Sequence, residues 1–525
     1  MVRIGFSVIY SWRPHVEQMI FLANLVEKAG HSAFFLTCDA DLPTCYTREF
    51  RSRSATQECF LCRVSGVRSF RTRNVSSIGQ YKGASADRSS AAREWADSSA
   101  STIGRFESDE DYSSTKFKEL GDRIFPAVQM TYAAARAWIV AERLDAVCVF
   151  NGRMDATRAI FEAARSLGVR VISLERTWFG QGLQLYPEEN CLGLHAVDAL
   201  VTEWRDRPLT RKQALAGAVQ LAKRFLRVND NEWRAYNKNA TDLPWPGANA
   251  VRKVLLIPSS RNEVWGHPDW RSGWRDATSG YDALMTHLDL PASDVVLRCH
   301  PNWSEMIGNQ GGQLSESHYA NWAARRGILC IPSSDSVSTL GLIERCDVAV
   351  VTNGSAALEA GLLGKQVIGL APATYEAAGI RDSACNAVEL ENVILRDTLS
   401  RETMASLARL SARHTLRFCY TMVGRVPQYS DAVVANATTN YAFDENADPE
   451  SFMDLLRTGQ LKAYDQDFSQ NTADEDWILE LIEARNWLKI CNSSQTASPV
   501  FPPLKRRFLY QPVDFASRRM PVGDR

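Results

Sequence analysis

One stretch of the chain, residues 346–375, restricts the possible folds more than any other. Its run Asp347–Val351 is mostly apolar and rich in Val, which is typical of a buried parallel strand. After a short turn, Ala356–Leu363 is rich in the helix formers Ala and Leu and ends before a glycine. The next apolar run, Gln366–Leu370, predicts another strand. This order of strand, turn, helix and strand is the repeating unit of a doubly wound α/β sheet.

The turn of this unit carries small polar residues to the start of a helix. Asn353, Gly354 and Ser355 lie where unpaired backbone N–H groups and the helix dipole favour an anion such as a diphosphate. Glu359 lies about one helical turn after Ser355, on the same face, where its carboxylate can accept hydrogen bonds from a sugar diol. The plainer alternative is an ordinary helix cap followed by a solvated glutamate.

Two further motifs accompany this unit. The segment NGSAALEAGLLGKQVI, together with His300-Pro301-Asn302 upstream and Tyr375 downstream, resembles the nucleotide-binding half of two-domain glycosyltransferases of the GT-B type. Within that class it is most similar to bacterial capsule and surface-polysaccharide biosynthesis proteins. Gln366 replaces the proline that is usual in their pattern. The resemblance covers about residues 251–379, is weaker in the first half and is absent after about residue 430.

Composition sets outer limits on the class of protein. The chain has 525 residues, of which 45% are hydrophobic and 23% charged, as in an ordinary globular protein. Its formal net charge of −1 argues against a nucleic-acid binder, and no apolar run is long enough for a transmembrane segment. Twelve cysteines without a secretory signal predict reduced thiols in a cytoplasmic protein. A peripheral membrane contact at the inner face is compatible with this interpretation.

The predicted fold class is α/β, with two Rossmann-like domains facing a cleft and a helical C-terminal extension. The composition shifts predict four segments. They are a first domain (1–228), a linker (229–250), a second domain (251–430), and a helical extension with a loosely ordered tail (431–525). The resemblance implies that the first domain binds the acceptor and that the second binds the nucleotide sugar. Residues 66–114 are polar and rich in Ser, Arg and Ala, which predicts an insertion or mobile loop in the first domain.

The start of the chain offers one candidate catalytic residue. A strand over Val2–Ile9 and a helix over His15–Ala29 place His15 beyond the carboxyl end of the first strand, where such sheets bind ligands. Some two-domain glycosyltransferases carry their general base at this place, and a histidine can take a proton from an acceptor hydroxyl. The alternative is a histidine that only hydrogen-bonds its own loop.

A second unit of the first domain ends in further polar residues. Asn151 and Arg153 follow the buried strand at 145–150, and Glu175 and Arg176 follow the next strand. The topology predicts that the four converge on one edge of the sheet. The arginines can then neutralise a phosphate or carboxylate of the substrate, while Glu175 is a second candidate base or a ligand for acceptor hydroxyls.

The second domain begins with a strand followed by a polar loop. Ser259 and Ser260 are predicted to face the cleft, ahead of Glu263. The polysaccharide proteins often show Asp-Glu after a similar Ser-Ser turn. Asn262 stands in place of the Asp here, so Glu263 is the retained acidic candidate for catalysis.

Other candidate donor-binding residues follow later strands. Arg298 and His300 end one strand, and Pro301 keeps His300 out of helical geometry, so that its ring is predicted to point into the cleft near the donor phosphate. A plain turn histidine is the alternative. Tyr375 follows another strand, where its ring can stack on a base or sugar.

Four cysteines form a spaced group in the first domain. Cys38, Cys45, Cys59 and Cys62 have the pattern C-x6-C-x13-C-x2-C, and four thiolates can hold a structural zinc ion. Free loop cysteines are the alternative. A catalytic zinc is disfavoured because a closed four-cysteine site leaves no open position.

The predicted function is transfer of a sugar from a nucleotide-activated donor to a surface polysaccharide or glycolipid, that is, to a glycan or lipid-linked glycan acceptor. Such folds stabilise the leaving phosphate with helix dipoles and basic residues, so no catalytic metal is expected. Two alternatives stay open. One is an isomerase like the non-hydrolysing nucleotide-sugar 2-epimerases, and the other is a non-catalytic scaffold that keeps the fold.

Overall fold

The computed structural model describes residues 1–81, 85–229, 232, 238–247, 250–494 and 499–519. The predicted linker, 229–250, lies partly outside the described residues. Two six-stranded sheets form the framework, one in each half of the chain. Helices cover both faces of each sheet, so the α/β class with two Rossmann-like domains is confirmed.

The first sheet has the strand order β3-β2-β1-β4-β5-β6. Its first five strands in this order run parallel, and only β6 is antiparallel to its neighbour. Its strands are β1 (Arg3–Val8), β2 (Ser32–Thr37), β3 (Val75–Ser77), β4 (Ala146–Phe150), β5 (Arg170–Glu175) and β6 (Gln184–Pro187).

Ten helices follow or separate these strands in the described part of the first half. The longest contains an internal proline, Pro126, and packs along the sheet as its apolar periodicity predicts. The helices are α1 (His15–Lys28), α2 (Tyr46–Arg51), α3 (Ala55–Ser65), α4 (Ser85–Ser89), α5 (Asp97–Gly104), α6 (Asp109–Ser113), α7 (Thr115–Glu142), α8 (Asp155–Ser166), α9 (His195–Trp204) and α10 (Arg211–Phe225).

The second sheet is parallel throughout and has the order β12-β11-β10-β7-β8-β9. Alternate residues of its strands enter two separate cores, because successive side chains of a strand point to opposite faces. Its strands are β7 (Val254–Ile257), β8 (Val295–Arg298), β9 (Leu329–Ile331), β10 (Val348–Val351), β11 (Gln366–Gly369) and β12 (Asp382–Ser383).

The helices of the second half continue beyond this sheet. One of them, predicted over Asp474–Ile490, is divided into two by a break around Arg485, which has a positive φ of 54°. The helices are α11 (Ala277–His287), α12 (Gln313–Arg326), α13 (Thr339–Arg345), α14 (Ala356–Leu362), α15 (Ala387–Leu390), α16 (Arg401–Tyr420), α17 (Glu450–Thr458), α18 (Ala473–Glu483), α19 (Trp487–Ser493) and α20 (Gln511–Arg519).

Both sheets have the same strand order, although the last strand is antiparallel only in the first sheet. In each, the first strand of the half (β1 or β7) lies between its second and its fourth strand, so the order of connection reverses beside it. The crevice at such a reversal, outside the carboxyl ends of the strands, is where open α/β sheets bind ligands. The reversal between β1 and β4 and that between β7 and β10 are called the first and second switch points below.

The C-terminal extension returns to the first sheet. The strands β13 (Val433–Ala437) and β14 (Asn440–Phe443) form an antiparallel hairpin whose buried side chains join the core of the first half. The described part of the tail is packed as well, since Arg506 is only 4% exposed and forms an ion pair with Glu17 of α1. The described part of the tail is therefore more closely packed than its polar composition predicts, and the extension contains a β-hairpin in addition to the predicted helical structure.

The predicted insertion, 66–114, is also largely structured in its described part. It contributes β3 to the sheet edge and forms the helices α4, α5 and α6. None of the helices in the described part of the chain combines the length and the apolar character that spanning a bilayer requires.

Candidate functional site

At the first switch point, His15 lies against two polar side chains. Its Nδ1 is 3.2 Å from Oε1 of Gln18, and its Nε2 is 3.7 Å from Oε1 of Glu175. The imidazole packs on the ring of Phe150, with 4.0 Å between centroids. An amide oxygen only accepts hydrogen bonds, so Nδ1 carries the proton toward Gln18 in the neutral ring. The lone pair of the neutral imidazole is then on Nε2, the atom nearer Glu175.

Burial determines the charge of this histidine. Loss of solvent lowers the pKa of His15 to about 4, because the attraction of Glu175 only partly offsets it and the positive charge of Arg176 adds to it. The imidazole is therefore neutral at physiological pH, as a proton acceptor must be.

Glu175 is positioned by the end of the neighbouring strand. Its Oε2 accepts a hydrogen bond of 2.8 Å from Nδ2 of Asn151, and its Oε1 accepts one of 3.0 Å from the backbone N–H of Arg176. Asn151 has a left-handed backbone with φ of 64°, a conformation that asparagine tolerates better than most residues. The structure thus brings Asn151, Glu175 and His15 together at one edge of the first sheet.

Arg153 turns toward the insertion. Its guanidinium donates to the hydroxyls of Ser98 and Thr102, at 2.7 and 3.3 Å, on helix α5. The same helix contacts the second half, since the Ser101 hydroxyl donates to the carbonyl oxygen of Asn262 at 3.1 Å. Helix α5 therefore lies between the carboxyl edges of the two sheets, which face each other across a cleft.

A second part of the insertion reinforces this bridge. Arg105, which is 3% exposed, donates to the carbonyl oxygens of Asn302 and Glu305 at 3.1 and 2.9 Å. These contacts fix the loop that carries His300. Nothing in the sequence distinguishes Ser98, Arg105 and their neighbours, because a polar insertion carries no signal of which distant surface it will contact.

At the second switch point, the loops after β7 and β10 touch. The backbone N–H of Ser259 donates to the Thr352 hydroxyl at 2.8 Å, and a Cβ atom added to Gly354 would lie 2.8 Å from Oγ of Ser259. Glycine is thus the only residue that fits here without displacement. Ser355 is exposed and its side chain does not cap α14. Asn353 is half-buried in the same turn.

Tyr375 supports this turn from beneath. Its hydroxyl donates to the carbonyl oxygen of Gly354 at 2.9 Å, and its side chain is fully buried against Phe418. The predicted stacking of Tyr375 on a base or sugar is therefore not available in this conformation. The difference arises because the turn after β11 points inward, toward a core that residues far along the chain complete.

His300 and Arg298 differ in their access to the cleft. His300 is half-buried, its Nδ1 accepts a hydrogen bond of 3.2 Å from the backbone N–H of Asn302, and burial lowers its pKa to about 4. Arg298 is 3% exposed, and its guanidinium donates to the carbonyl oxygens of Asp335 and Val337 at 3.0 and 3.3 Å. Arg298 thus holds a neighbouring loop and does not face the cleft.

The Glu359 carboxylate forms an ion pair with another residue of the protein. Its Oε1 accepts a hydrogen bond of 2.7 Å from the guanidinium of Arg224 on α10, and its Oε2 is buried with no donor among the described residues. Burial raises the pKa of Glu359, and the attraction of Arg224 opposes that rise. In this conformation Glu359 is part of an internal ion pair, so the predicted contact with a ribose requires it to be uncovered.

The remaining acidic and hydroxyl candidates lie on the loop after β7. Ser260 accepts a hydrogen bond of 2.9 Å from the indole N–H of Trp303, so it helps to hold the His300 loop. Glu263 is exposed at the end of a 3₁₀ turn. Burial raises the pKa of Tyr46; the charge of Arg153 lowers it and that of Glu263 raises it, so both charges lie within electrostatic range of this buried ring.

Asp155 has a larger role than the simple start of a helix. It is fully buried, its side chain accepts a hydrogen bond from the Tyr10 hydroxyl, and it also accepts the backbone N–H of Tyr46 at 2.9 Å. It thereby ties the loop after β1 to helix α2 beside the first switch point.

All four predicted metal-binding cysteines line one cavity of about 40 Å³ beyond the carboxyl ends of β1 and β2. Burial raises the pKa of Cys38 and Cys62 to about 11 and that of Cys45 to about 12. Among the described residues, their sulfur atoms do not form a group of three or more within 4.8 Å of one another. A structural zinc ion would require these loops to contract, and it stays a prediction.

Comparisons with known proteins add fold-level likenesses only. No family model and no curated protein matches the chain. Among solved structures, KpsC of Thermosulfurimonas dismutans, a beta Kdo 2,4 transferase, is similar with 15% identity and a TM-score of 0.33, over 65% of this chain and 87% of that one.

Two other solved structures are similar over more of this chain. A UDP-GlcNAc 2-epimerase of Methanocaldococcus jannaschii, in complex with UDP-GlcNAc and UDP, has 11% identity and a TM-score of 0.28, over 87% of this chain and 99% of that one. A glycosyltransferase of a Streptomyces species has 13% identity and a TM-score of 0.21, over 79% and 96%. Because these TM-scores are low, the assignment of two Rossmann-like domains rests on the strand orders described above.

Proposed function

We propose that the protein is a glycosyltransferase that moves a sugar from a nucleotide-activated donor to a glycan or lipid-linked glycan acceptor. The observation that carries the proposal is the opposition of the two switch points. Arg153, after β4 of the first sheet, and Asn262, after β7 of the second, contact the same helix, α5, so the two ligand-binding edges face each other across that helix. A cleft between two such edges suits a reaction that joins two separately bound substrates.

The donor is assigned to the second switch point. Gly354 is half-buried and lies in close contact with Ser259, and the half-buried His300 follows β8, the strand next to β7. Backbone N–H groups of this turn are proposed to bind the phosphate. Tyr375 holds the turn through the Gly354 carbonyl group. Ser355 and Asn353 complete the proposed donor contacts. The base and the sugar of the donor are left open.

The acceptor is assigned to the first switch point, with His15 as the general base. Its neutral Nε2 takes the proton of the acceptor hydroxyl as the acceptor oxygen bonds to the anomeric carbon of the sugar. The bond from that carbon to the phosphate oxygen breaks, and its electron pair leaves with the nucleotide. Glu175, 3.7 Å from Nε2, stabilises the imidazolium that forms. Arg153 and Arg176 are proposed to orient anionic groups of the acceptor.

A thermal-shift series tests the donor assignment. The purified protein is heated with UDP-, GDP-, dTDP- and CMP-sugars in turn, since a ligand that binds only the native state raises the Tm by an amount that grows with the logarithm of its concentration over its Kd. Ser355→Trp fills the proposed donor turn at an exposed position. Ala405→Trp, at an exposed position of α16, is the matched control.

The expected result is a rise in Tm with one nucleotide class, lost in Ser355→Trp and kept in Ala405→Trp. Sugar transfer from that donor to an added acceptor then completes the proposal. Conversion of the nucleotide sugar with no acceptor present would instead identify an epimerase. No shift with any of the four classes would overturn both activities and leave the non-catalytic scaffold.

A further inference from the structure

Three side chains that can bind a metal ion meet away from the His15–Glu175 pair. They belong to Glu189, His195 and Asp269, and one ligand atom of each lies within 4.8 Å of the others. The Nε2 of His195 is 3.6 Å from Oδ1 of Asp269. Glu189 follows β6 of the first sheet, whereas Asp269 lies on the loop after β7 of the second. The cluster therefore spans the junction between the two halves.

The backbone fixes these carboxylates before any ion binds. The two oxygens of Glu189 accept the N–H groups of His195 and Ala196, each at 3.2 Å, and Oδ2 of Asp269 accepts the N–H of Leu194 at 3.1 Å. A carboxylate oxygen has a second lone pair for a further partner. The ligands are thus held in place by contacts that an ion would not need to displace.

A third acid, Asp198, lies beside this cluster. Asp198 lies one turn along α9 from His195, and its carboxylate interacts electrostatically with all three members of the cluster. Its Oδ1 is buried and receives no hydrogen bond from any residue that the structure describes. Three carboxyl groups and one exposed imidazole are thus gathered at this junction, where a bound cation would favour the ionised form of each acid.

We propose that Glu189, His195 and Asp269 bind a divalent transition-metal ion that links the two halves of the protein. One imidazole and two carboxylates are a nitrogen and oxygen donor set, which suits Zn²⁺, Co²⁺ or Mn²⁺ and does not require thiolates. Three protein ligands leave further positions for water, as expected at a surface where His195 is 81% exposed. The ion joins a loop of the first sheet to a loop of the second, so it limits their separation.

Direct metal binding tests this site with Mn²⁺ and Co²⁺ as probes. Mn²⁺ prefers oxygen and nitrogen ligands, so its binding, followed by electron paramagnetic resonance, avoids the cysteine cavity. The indole N–H of Trp270 donates to the Leu192 carbonyl beside the site, and quenching of Trp fluorescence by Co²⁺ gives a second signal. The variants are His195→Ala, which alters an exposed side chain, and Asp269→Asn, which keeps an oxygen that can accept the Leu194 N–H.

Asp347→Asn is the matched control, because the exposed Asp347 carboxylate also accepts one backbone N–H, from Lys253 at 2.9 Å. The expected result is one bound ion per chain, a loss of affinity of roughly ten-fold or more in each cluster variant and no loss in the control. The absence of binding to the full chain would overturn the proposal. So would binding that both variants retain, or a cobalt spectrum with thiolate charge-transfer bands, which would place the ion at the cysteines.

Discussion

The carboxylate of Glu107 accepts a hydrogen bond of 2.9 Å from the hydroxyl of Tyr319, and this contact joins two parts of the chain that are 212 residues apart. Glu107 belongs to the insertion of the first half, and Tyr319 to helix α12 of the second. The Ser315 hydroxyl donates to the same carboxylate at 2.9 Å, and so does the backbone N–H of Arg261 at 3.1 Å. The insertion therefore links the first half of the chain to α12 and to the loop after β7 in the second half.

Replacement of Glu107 by Ala is expected to destabilise the protein by about 3 kcal/mol, because it leaves three buried donors without an acceptor. Urea unfolding, followed by tryptophan fluorescence, measures this change. Glu110→Ala alters a nearby exposed acid and is expected to change stability by less than about 0.5 kcal/mol. Equal effects of the two substitutions would show that the Glu107 contacts do not support the fold.

Glu107 also predicts a dependence of stability on pH. Burial raises its pKa from 4.5 to about 7 in the folded protein, so the folded state keeps a proton that the unfolded chain releases between these values. Its contribution to stability is complete below about pH 4.5 and is lost as the pH rises to about 7, an effect of about 3 kcal/mol.

Glu107→Gln isolates this effect, since an amide does not titrate. The difference in unfolding free energy between the native protein and Glu107→Gln is expected to fall from pH 4.5 to pH 7 and to stay level above that. If this difference in unfolding free energy stays constant over the range, the three hydrogen bonds that Glu107 accepts keep its carboxylate ionised at every pH tested.

The sequence predicts the sheets well and the contacts between distant segments poorly. Short apolar runs such as Asp347–Val351 and Gln366–Leu370 signal buried parallel strands locally, and the order of strands and helices then restricts the topology. The insertion carries no comparable signal. Glu107 and Arg105 are buried only because surfaces about 150 to 210 residues away receive them, as their bonds to Arg261 and Tyr319, and to Asn302, show.

The same limit applies to the candidate site. Polar residues that follow neighbouring parallel strands are expected at one edge of the sheet. This expectation places His15, Asn151 and Glu175 together, because β1, β4 and β5 are neighbours in the sheet. The partners of Glu359 and Tyr375 are set by tertiary packing. A glutamate on a helix next to a phosphate-binding turn looks exposed in the sequence until Arg224 is seen to cover it.

The pair of Arg224 and Glu359 predicts strong coupling between the two residues. Arg224→Met is expected to cost about 3 to 5 kcal/mol, because it leaves the Glu359 carboxylate buried without its counterion. The double variant Arg224→Met, Glu359→Met is expected to recover part of this loss, since position 359 is then uncharged, although Glu232, the second carboxylate that Arg224 binds, still lacks its partner. A double-mutant cycle by chemical denaturation gives the coupling energy. Additive effects would show that Glu359 is solvated and open to a ligand in the free protein.

The raised pKa values of the cysteines that line the cavity predict slow alkylation of their thiols. The pKa values of about 11 for Cys38 and Cys62 leave few thiolates at pH 8, and only the thiolate is nucleophilic. Alkylation of these two residues by iodoacetamide at pH 8, followed by mass spectrometry, is expected to be roughly 100-fold slower in the native protein than in urea. A rate in the native protein close to that in urea would show that the cavity opens readily or that its thiols are ionised.

The pair of His15 and Glu175 predicts the shape of the pH profile of sugar transfer. A general base must be unprotonated, and the pKa of His15 is about 4, so kcat/KM is expected to decline only toward about pH 4 and not near 6.5. Glu175 raises this pKa, and Glu175→Gln is therefore expected to move the acid limb to still lower pH.

His15→Ala is expected to reduce kcat by roughly 100-fold or more while leaving the nucleotide-induced rise in Tm unchanged. An acid limb that Glu175→Gln abolishes, or full activity in His15→Ala, would transfer the role of base from His15 to Glu175.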